Sequence, residues 1–163
     1  MPKRRWLESL ERIPGRSDIR VLTGFNQPAS VVAMSTKKPV ILIADDDPEI
    51  LTMLGIRLSK KGYQVLEAVD GNQTINLARK HHPDLVLLDV MMPGKNGWEV
   101  AKELRSDDDF GNLGIVMLTA IGEKVNEMTS PLYGADAYVD KPFDFSDLED
   151  KIKLVLAQRA GRS

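Results

Sequence analysis

From Pro39 onward the chain alternates short apolar runs with longer amphipathic segments, and this rhythm limits the fold more than any other feature. Val40–Ala44 is predicted as a strand, as are Tyr63–Ala68, Leu85–Leu88, Ile115–Leu118 and the short Ala137–Val139. Apolar runs this short, bounded by polar residues, suit strands buried on both faces. The intervening segments have helical period. In Pro48–Lys61, the residues Ile50, Leu51, Leu54 and Leu58 share one stripe. Asp47 precedes Pro48 as a cap, and Gly62 closes the helix. Asn72–Lys80 and Gly97–Arg105 follow, the second capped by Asn96. Asp107–Gly114 reads as a polar loop. Glu123–Tyr133 is a weaker helix, because Pro131 breaks its last turn. Asp144–Arg159 turns Leu148, Ile152, Val155 and Leu156 inward. Strands alternating with helices predict a parallel sheet covered on both faces. Right-handed crossovers then leave few topologies.

Within this pattern, the stretch PDLVLLDVMMPGKNG (Pro83–Gly97) ends a hydrophobic run on an acid. Helix capping does not account for Asp89, since Val90 to Pro93 separate it from the next helix and Asn96 stands in the better capping place. Other strand ends carry polar groups too. The first is followed by Asp45, Asp46 and Asp47, the fourth by Thr119, and the fifth by Lys141 before Pro142. In a doubly wound α/β sheet of flavodoxin-like order 2-1-3-4-5, all these ends lie on one edge, where such sheets bind ligands. Clustered carboxylates repel, and a divalent cation removes the conflict. Oxygen ligands alone, and few of them, favour Mg²⁺. A metal beside a carboxylate, a lysine and a hydroxyl suits phosphoryl transfer, with Asp as the acceptor nucleophile. Each feature alone has a plainer reading: a cap and turn for the aspartates, a loop for Thr119, a surface turn for Lys141-Pro142. Their joint placement on one edge is what points to a site.

Composition sets the bounds. The 163 residues suit one domain with a small extension, expected as residues 1–37 ahead of a domain at 38–163. There is no cysteine, so disulfides and thiolate metal sites are excluded. No apolar run approaches the ~20 residues of a membrane span, and no signal-peptide pattern is present, so a cytoplasmic location is expected. Residues 1–38 carry eight Lys/Arg against three Asp/Glu, and the rest carry fourteen against twenty-one. We read the basic head as a solvated, irregular extension in preference to a nucleic-acid contact. It has partial helical character in RRWLESLERI, where Trp6, Leu10 and Ile13 share a stripe, and Met34 is a candidate true start.

With VILIADDDPEI, PDLVLLDVMMPGKNGWEV, IVMLTA and GADAYVDKPF in place, the chain resembles a response-regulator receiver domain of two-component signalling from Lys38 to Arg159. The resemblance implies a phosphoacceptor switch that catalyses its own Mg²⁺-dependent phosphorylation and dephosphorylation. Asp89 would be the phosphoacceptor. Asp45 and Asp46 would hold Mg²⁺ with Asp89 and the Met91 backbone carbonyl, Asp46 directly and Asp45 partly through water. Thr119 and Lys141 would serve the phosphoryl group, with a cis bond between Lys141 and Pro142. Thr119 and Tyr138 would form the switch. Met91 and Ile121 would flank the approach of the hydrolytic water; both are apolar, so slow dephosphorylation is expected. The implied partners are a sensor histidine kinase or a histidine phosphotransfer protein, and a downstream protein on the face of the fourth helix, fifth strand and last helix. A phosphorylation-dependent dimer is a further option. Because the sequence stops at Ser163, a stand-alone regulator with no DNA-binding domain is expected.

Rival readings have less support. A phosphorelay intermediate would use the same residues and pass the group to a phosphotransfer protein. A haloacid-dehalogenase-type phosphatase would need a D-x-D-x-Thr motif; Asp45 and Asp47 supply the acids, but Glu49 stands where Thr should be. A degenerate receiver acting only as an interaction module would lack some of the site residues, and none is missing.

Overall fold

The structure, a computed structural model, describes residues 37–120 and 132–161. β1 (Val40–Ala44), β2 (Gln64–Ala68), β3 (Leu85–Asp89), β4 (Gly114–Thr119) and β5 (Ala137–Asp140) form one sheet in the order β2-β1-β3-β4-β5, all parallel. The described helices are α1 (Pro48–Lys60), α2 (Gly71–His81), α3 (Gly97–Arg105) and α4 (Phe145–Ala160), with a 3₁₀ turn at Asp108–Phe110. This is the doubly wound, flavodoxin-like architecture that the rhythm predicts.

Alternation along each strand divides the core into two layers. Leu42, Ala44, Val86, Leu88, Ile115 and Met117 face α2 and α3, where Ile75, Ala78, Val100 and Leu104 meet them. Ile41, Ile43, Leu85, Leu87, Val116 and Leu118 face α1 and α4, against Leu51, Leu54, Leu58, Leu148, Ile152 and Val155. β1, β3 and β4 are buried along their whole length. The edge strands β2 and β5 are only partly covered. At roughly 1.5–3 kcal/mol for each fully buried aliphatic side chain, these two layers dominate the stability.

Local signals set the helix ends. Asp47 caps α1 through Glu49 N, and Asn96 and Glu99 form a reciprocal capping box on α3. Some boundaries differ from the sequence reading. α2 begins at Gly71, because Asp70 accepts from Gln73 N and is the cap. Asp144 lies outside α4 as its cap, accepting from Ser146 N. Within the expected polar loop 107–114, a 3₁₀ turn buries Phe110. Tyr63 precedes β2, since its N–H bonds back to Leu58 O and not into the sheet. The expected helix 123–133 lies outside the described residues except for Leu132 and Tyr133, which are helical. Residues 1–36, with the Trp6 stripe and Met34, lie outside them too, as does Ile121.

Candidate functional site

The strand order reverses between β1 and β3, so the carboxyl ends of these two strands flank the topological switch point. Asp45 follows β1 directly and Asp89 ends β3; both are buried, as is Thr119 at the end of β4. Asp46 is exposed. Asp45, Asp46 and Asp89 each offer one carboxylate oxygen, and these oxygens all lie within 4.8 Å of one another. Lys141 reaches in from the far side of the sheet edge. Its Nζ donates to Asp45 Oδ2 at 2.8 Å and to Asp89 Oδ1 at 3.2 Å. The Lys141 N–H donates to Thr119 O at 2.7 Å, so the lysine is tied to the end of β4. The Lys141-Pro142 bond is cis.

The electrostatics follow from this crowding. Burial, with the like charge of Asp45, pushes Asp89 above the usual carboxylate range; Lys141 and a hydrogen bond to the Met91 backbone oppose the rise without cancelling it. For Lys141, burial works against the charged form, but the hydrogen bond and charge of Asp45, reinforced by Asp89, leave its pKa raised. Three carboxylates and one ammonium leave the cluster two positive charges short of neutral when all are ionised. A divalent cation supplies that balance. Oxygens on one Mg²⁺ lie at most about 4.2 Å apart, twice the ~2.1 Å bond. The 4.8 Å spread therefore needs only a small side-chain adjustment or an intervening water. The donor set is all oxygen, as Mg²⁺ prefers. Asp45 Oδ1 already accepts from Asp47 N at 2.9 Å and its other oxygen from Lys141, which leaves exposed Asp46 the freer of the pair for direct ligation.

The loop after β3 is held to the same edge. Val90 N donates to Leu118 O at 3.0 Å, and Gly97 N to Val90 O at 2.9 Å. Val90 and Met92 are buried, whereas the Met91 side chain is 71% exposed. The Met91 peptide is thus fixed by its neighbours and not by its own side chain. Gly97 is required here: a Cβ would lie 2.3 Å from Asp89 O. Tyr138, on β5 opposite Met117 of β4, is half-buried against the α2–α3 layer, with Lys151 Nζ 5.9 Å from its ring centre. The structure therefore brings Asp45, Asp46, Asp89 and Lys141 into one cluster, with Thr119 at the end of β4 and Met91 two residues past the end of β3; Tyr138 lies in the first half of β5, level with Met117.

The family model described as the response regulator receiver domain matches residues 41–153. The chain belongs to this family. Among relatives of the receiver, "Probable transcriptional regulator ycf27" from Galdieria sulphuraria is 47% identical over 120 residues, 74% of this chain and 46% of that protein. The "DNA-binding dual master transcriptional regulator RpaA" of Synechocystis is 39% identical over 72% of this chain and 49% of that protein. Among solved structures, a CheY-like receiver from Methanospirillum hungatei has a TM-score of 0.72 at 28% identity, covering 78% of this chain and all of that one. TrrA from Thermotoga maritima, in complex with Mg²⁺-BeF, has a TM-score of 0.64 at 35% identity, covering 72% of this chain and 98% of that one.

These findings correct one expectation. The receiver spans about half the length of the curated relatives it matches, and those relatives are named transcriptional regulators. A partner list without DNA-binding output therefore does not hold. Its premise was the end of the sequence at Ser163, and the end of a sequence carries no information about output. No helix among the described residues is long and apolar enough to cross a membrane.

Sequence reasoning missed the residues that place the receiver's site without touching it. In the sequence Gly97 signals only a helix start, whereas the structure packs it onto the Asp89 carbonyl. Gly71 follows Asp70 in a D-G pair, which was a usable signal for a capped helix start. Asp136 is joined to Arg105 and Arg159, two residues distant from it in sequence, and no local pattern pointed to that link.

Proposed function

We propose that this receiver takes a phosphoryl group onto Asp89 from the phosphohistidine of a sensor kinase, and that the acquired charge controls transcription through a DNA-binding output. The observation that carries the reading is the shared Lys141 between Asp45 and Asp89 at the switch point. A carboxylate oxygen of Asp89 attacks phosphorus, the P–N bond breaks, and the electron pair leaves with the imidazole. Lys141 is within reach of the arriving phosphoryl oxygens and offsets their charge. Asp45 holds Lys141 at the edge and keeps it charged. Mg²⁺, when bound by Asp45, Asp46, Asp89 and the Met91 carbonyl, would neutralise the oxygens of the transferring group. That TrrA, 35% identical, was solved in complex with Mg²⁺-BeF supports Mg²⁺ as the ion; the donor set itself rests on the carboxylate cluster. Thr119 is the hydroxyl on the adjacent strand end, and its movement toward the phosphoryl group would draw Tyr138 inward as the readout. For this to signal, the phosphorylated site has to bind the active arrangement better than the inactive one. The transcriptional output rests on the names of the relatives.

The test uses a small phosphodonor with MgCl2 or with EDTA, read by intact mass. Wild type is expected to gain one phosphoryl group only with Mg²⁺, and Asp89→Asn to gain none. Equal labelling of Asp89→Asn, or labelling in EDTA, overturns the assignment.

A further inference from the structure

We propose that Gly71, on a helix that contributes no polar group to the site, is a positioning residue for the metal-binding loop 90–96. The inference rests on the metal reading above.

Gly71 opens α2, and a Cβ there would lie 2.5 Å from Lys95 O, 2.7 Å from Lys95 Cβ and 3.0 Å from Val100 Cγ2. The first of these is a backbone atom, which cannot rotate away. The start of α2 and the end of the loop therefore meet backbone to backbone, a contact only glycine permits.

Both sides of the contact are fixed. On α2, Gln73 N donates to Asp70 Oδ1 at 2.8 Å, Thr74 Oγ1 to Asp70 O at 2.7 Å, and Val69 N to Gln73 Oε1 at 2.7 Å. Thr74 is buried. On the loop, Lys95 Nζ pairs with Glu103 of α3, and Asn96 belongs to the capping box. The other end of the loop is anchored by buried Val90 and Met92. The segment carrying the Met91 carbonyl is thus held between the end of β3 and the wall at Gly71. A methyl group at position 71 has to push Lys95 by roughly 1 Å to reach an ordinary contact. Gly94 is the joint nearest the push, with φ +76° and open space around it. What Gly94 does not absorb bears on Met92, the buried anchor between that joint and Met91; a shift of this anchor moves the Met91 carbonyl and loosens the oxygen donor set.

Residues behind a metal's direct ligands typically change affinity about 10- to 100-fold, and Gly71 should fall near the lower figure. The experiment titrates MgCl2 into ¹⁵N-labelled Gly71→Ala, following the Asp89 and Met91 amides. It also measures phosphorylation rate against Mg²⁺ concentration. The expected result is an Mg²⁺ dissociation constant about tenfold higher than wild type, with the rate at saturating Mg²⁺ close to wild type. Gly111→Ala, whose added Cβ meets only Asp108 O at 3.8 Å, should match wild type in both. Gly71→Ala with Lys95→Gly keeps the carbonyl clash but loses the side-chain one, and should bind with intermediate affinity. A folded Gly71→Ala that binds Mg²⁺ like wild type overturns the proposal. So does an unfolded single variant together with an unfolded or unaltered double variant, which makes Gly71 a folding residue only. If wild type itself shows no Mg²⁺ response, the metal reading has failed and the role of Gly71 fails with it.

Discussion

Asp89 is kept where its charge is unfavourable. It is buried, faces Asp45, and has a raised pKa in the folded chain for both reasons. Between the unfolded carboxylate pKa and that raised value, the folded state binds more protons than the unfolded state. Stability therefore falls as pH rises through this window, and stays reduced above it. Asp89→Asn removes the charge and keeps the shape. We expect it to melt a few degrees higher than wild type at neutral pH, at about 2–4 °C per kcal/mol for a chain of this size. The gain should shrink as pH falls through the raised pKa and vanish below the usual carboxylate range. Melting curves of both proteins from pH 7 down to pH 3.5 check this; a constant difference across that range would exclude the linkage. Mg²⁺ should raise the wild-type melting temperature and leave Asp89→Asn less affected, since the variant gives up one ligand. On the proposed function, the same unfavourable charge would make Asp89 receptive to a cation and then to a phosphoryl group.

At the scale of elements, one part-buried cluster ties together segments distant in sequence. Asp136, just before β5, accepts from Arg105 of α3 at 2.9 Å, from Ile115 N of β4 at 2.8 Å, and from Arg159 of α4. Arg105 also donates to Gly134 O and Phe110 O, and Arg159 to Gly111 O. Removing one member of a fully buried pair typically costs about 3–5 kcal/mol, and this part-buried cluster should fall near or below the lower figure. Asp136→Ala should therefore lower the melting temperature by roughly 6 °C or more, from about 3 kcal/mol at 2–4 °C per kcal/mol, while Mg²⁺-dependent labelling at Asp89 survives well below the transition. A melting temperature within about 2 °C of wild type, less than 1 kcal/mol, would show the cluster to be idle. The contrast with what the sequence revealed is physical. Strands β1, β3 and β4 could be read because full burial writes itself as an unbroken apolar run. Asp47 and Asn96 could be read because capping acts within a few residues. Asp89 could be read because an acid at a strand end has no local use. The Asp136 cluster could not, because its partners lie 31 and 23 residues away. Phe110 was hidden because a single buried aromatic in a polar stretch has no period. Gly71 and Gly97 were visible as glycines, but the backbone each one meets belongs to another segment.

The molecule as a whole places its chemistry at the one edge where two core layers diverge. α1 and α4 cover one face of the sheet, α2 and α3 the other, and the polar ends of β1, β3 and β4 emerge between them. The sheet is anchored at its opposite end as well. Gln64 N donates to Pro39 O at 2.9 Å, and Val40 N to Asp84 Oδ2 at 2.7 Å, so the ladder starts at Pro39. Both core layers are built, among the described residues, from Ile41 onward, and the family match begins at the same residue. A chain shortened to begin at Met34 keeps every one of these contacts. It is expected to melt within about 2 °C of the full chain, less than 1 kcal/mol at this size, and to label at Asp89 at the same rate for a given Mg²⁺ concentration. Scanning calorimetry and a labelling time course on the two chains decide the point. A loss of several degrees would place the Trp6, Leu10 and Ile13 stripe against the receiver. A changed rate at equal stability would give the basic head a part in regulating Asp89, since neither the core layers nor the acidic cluster would have been altered.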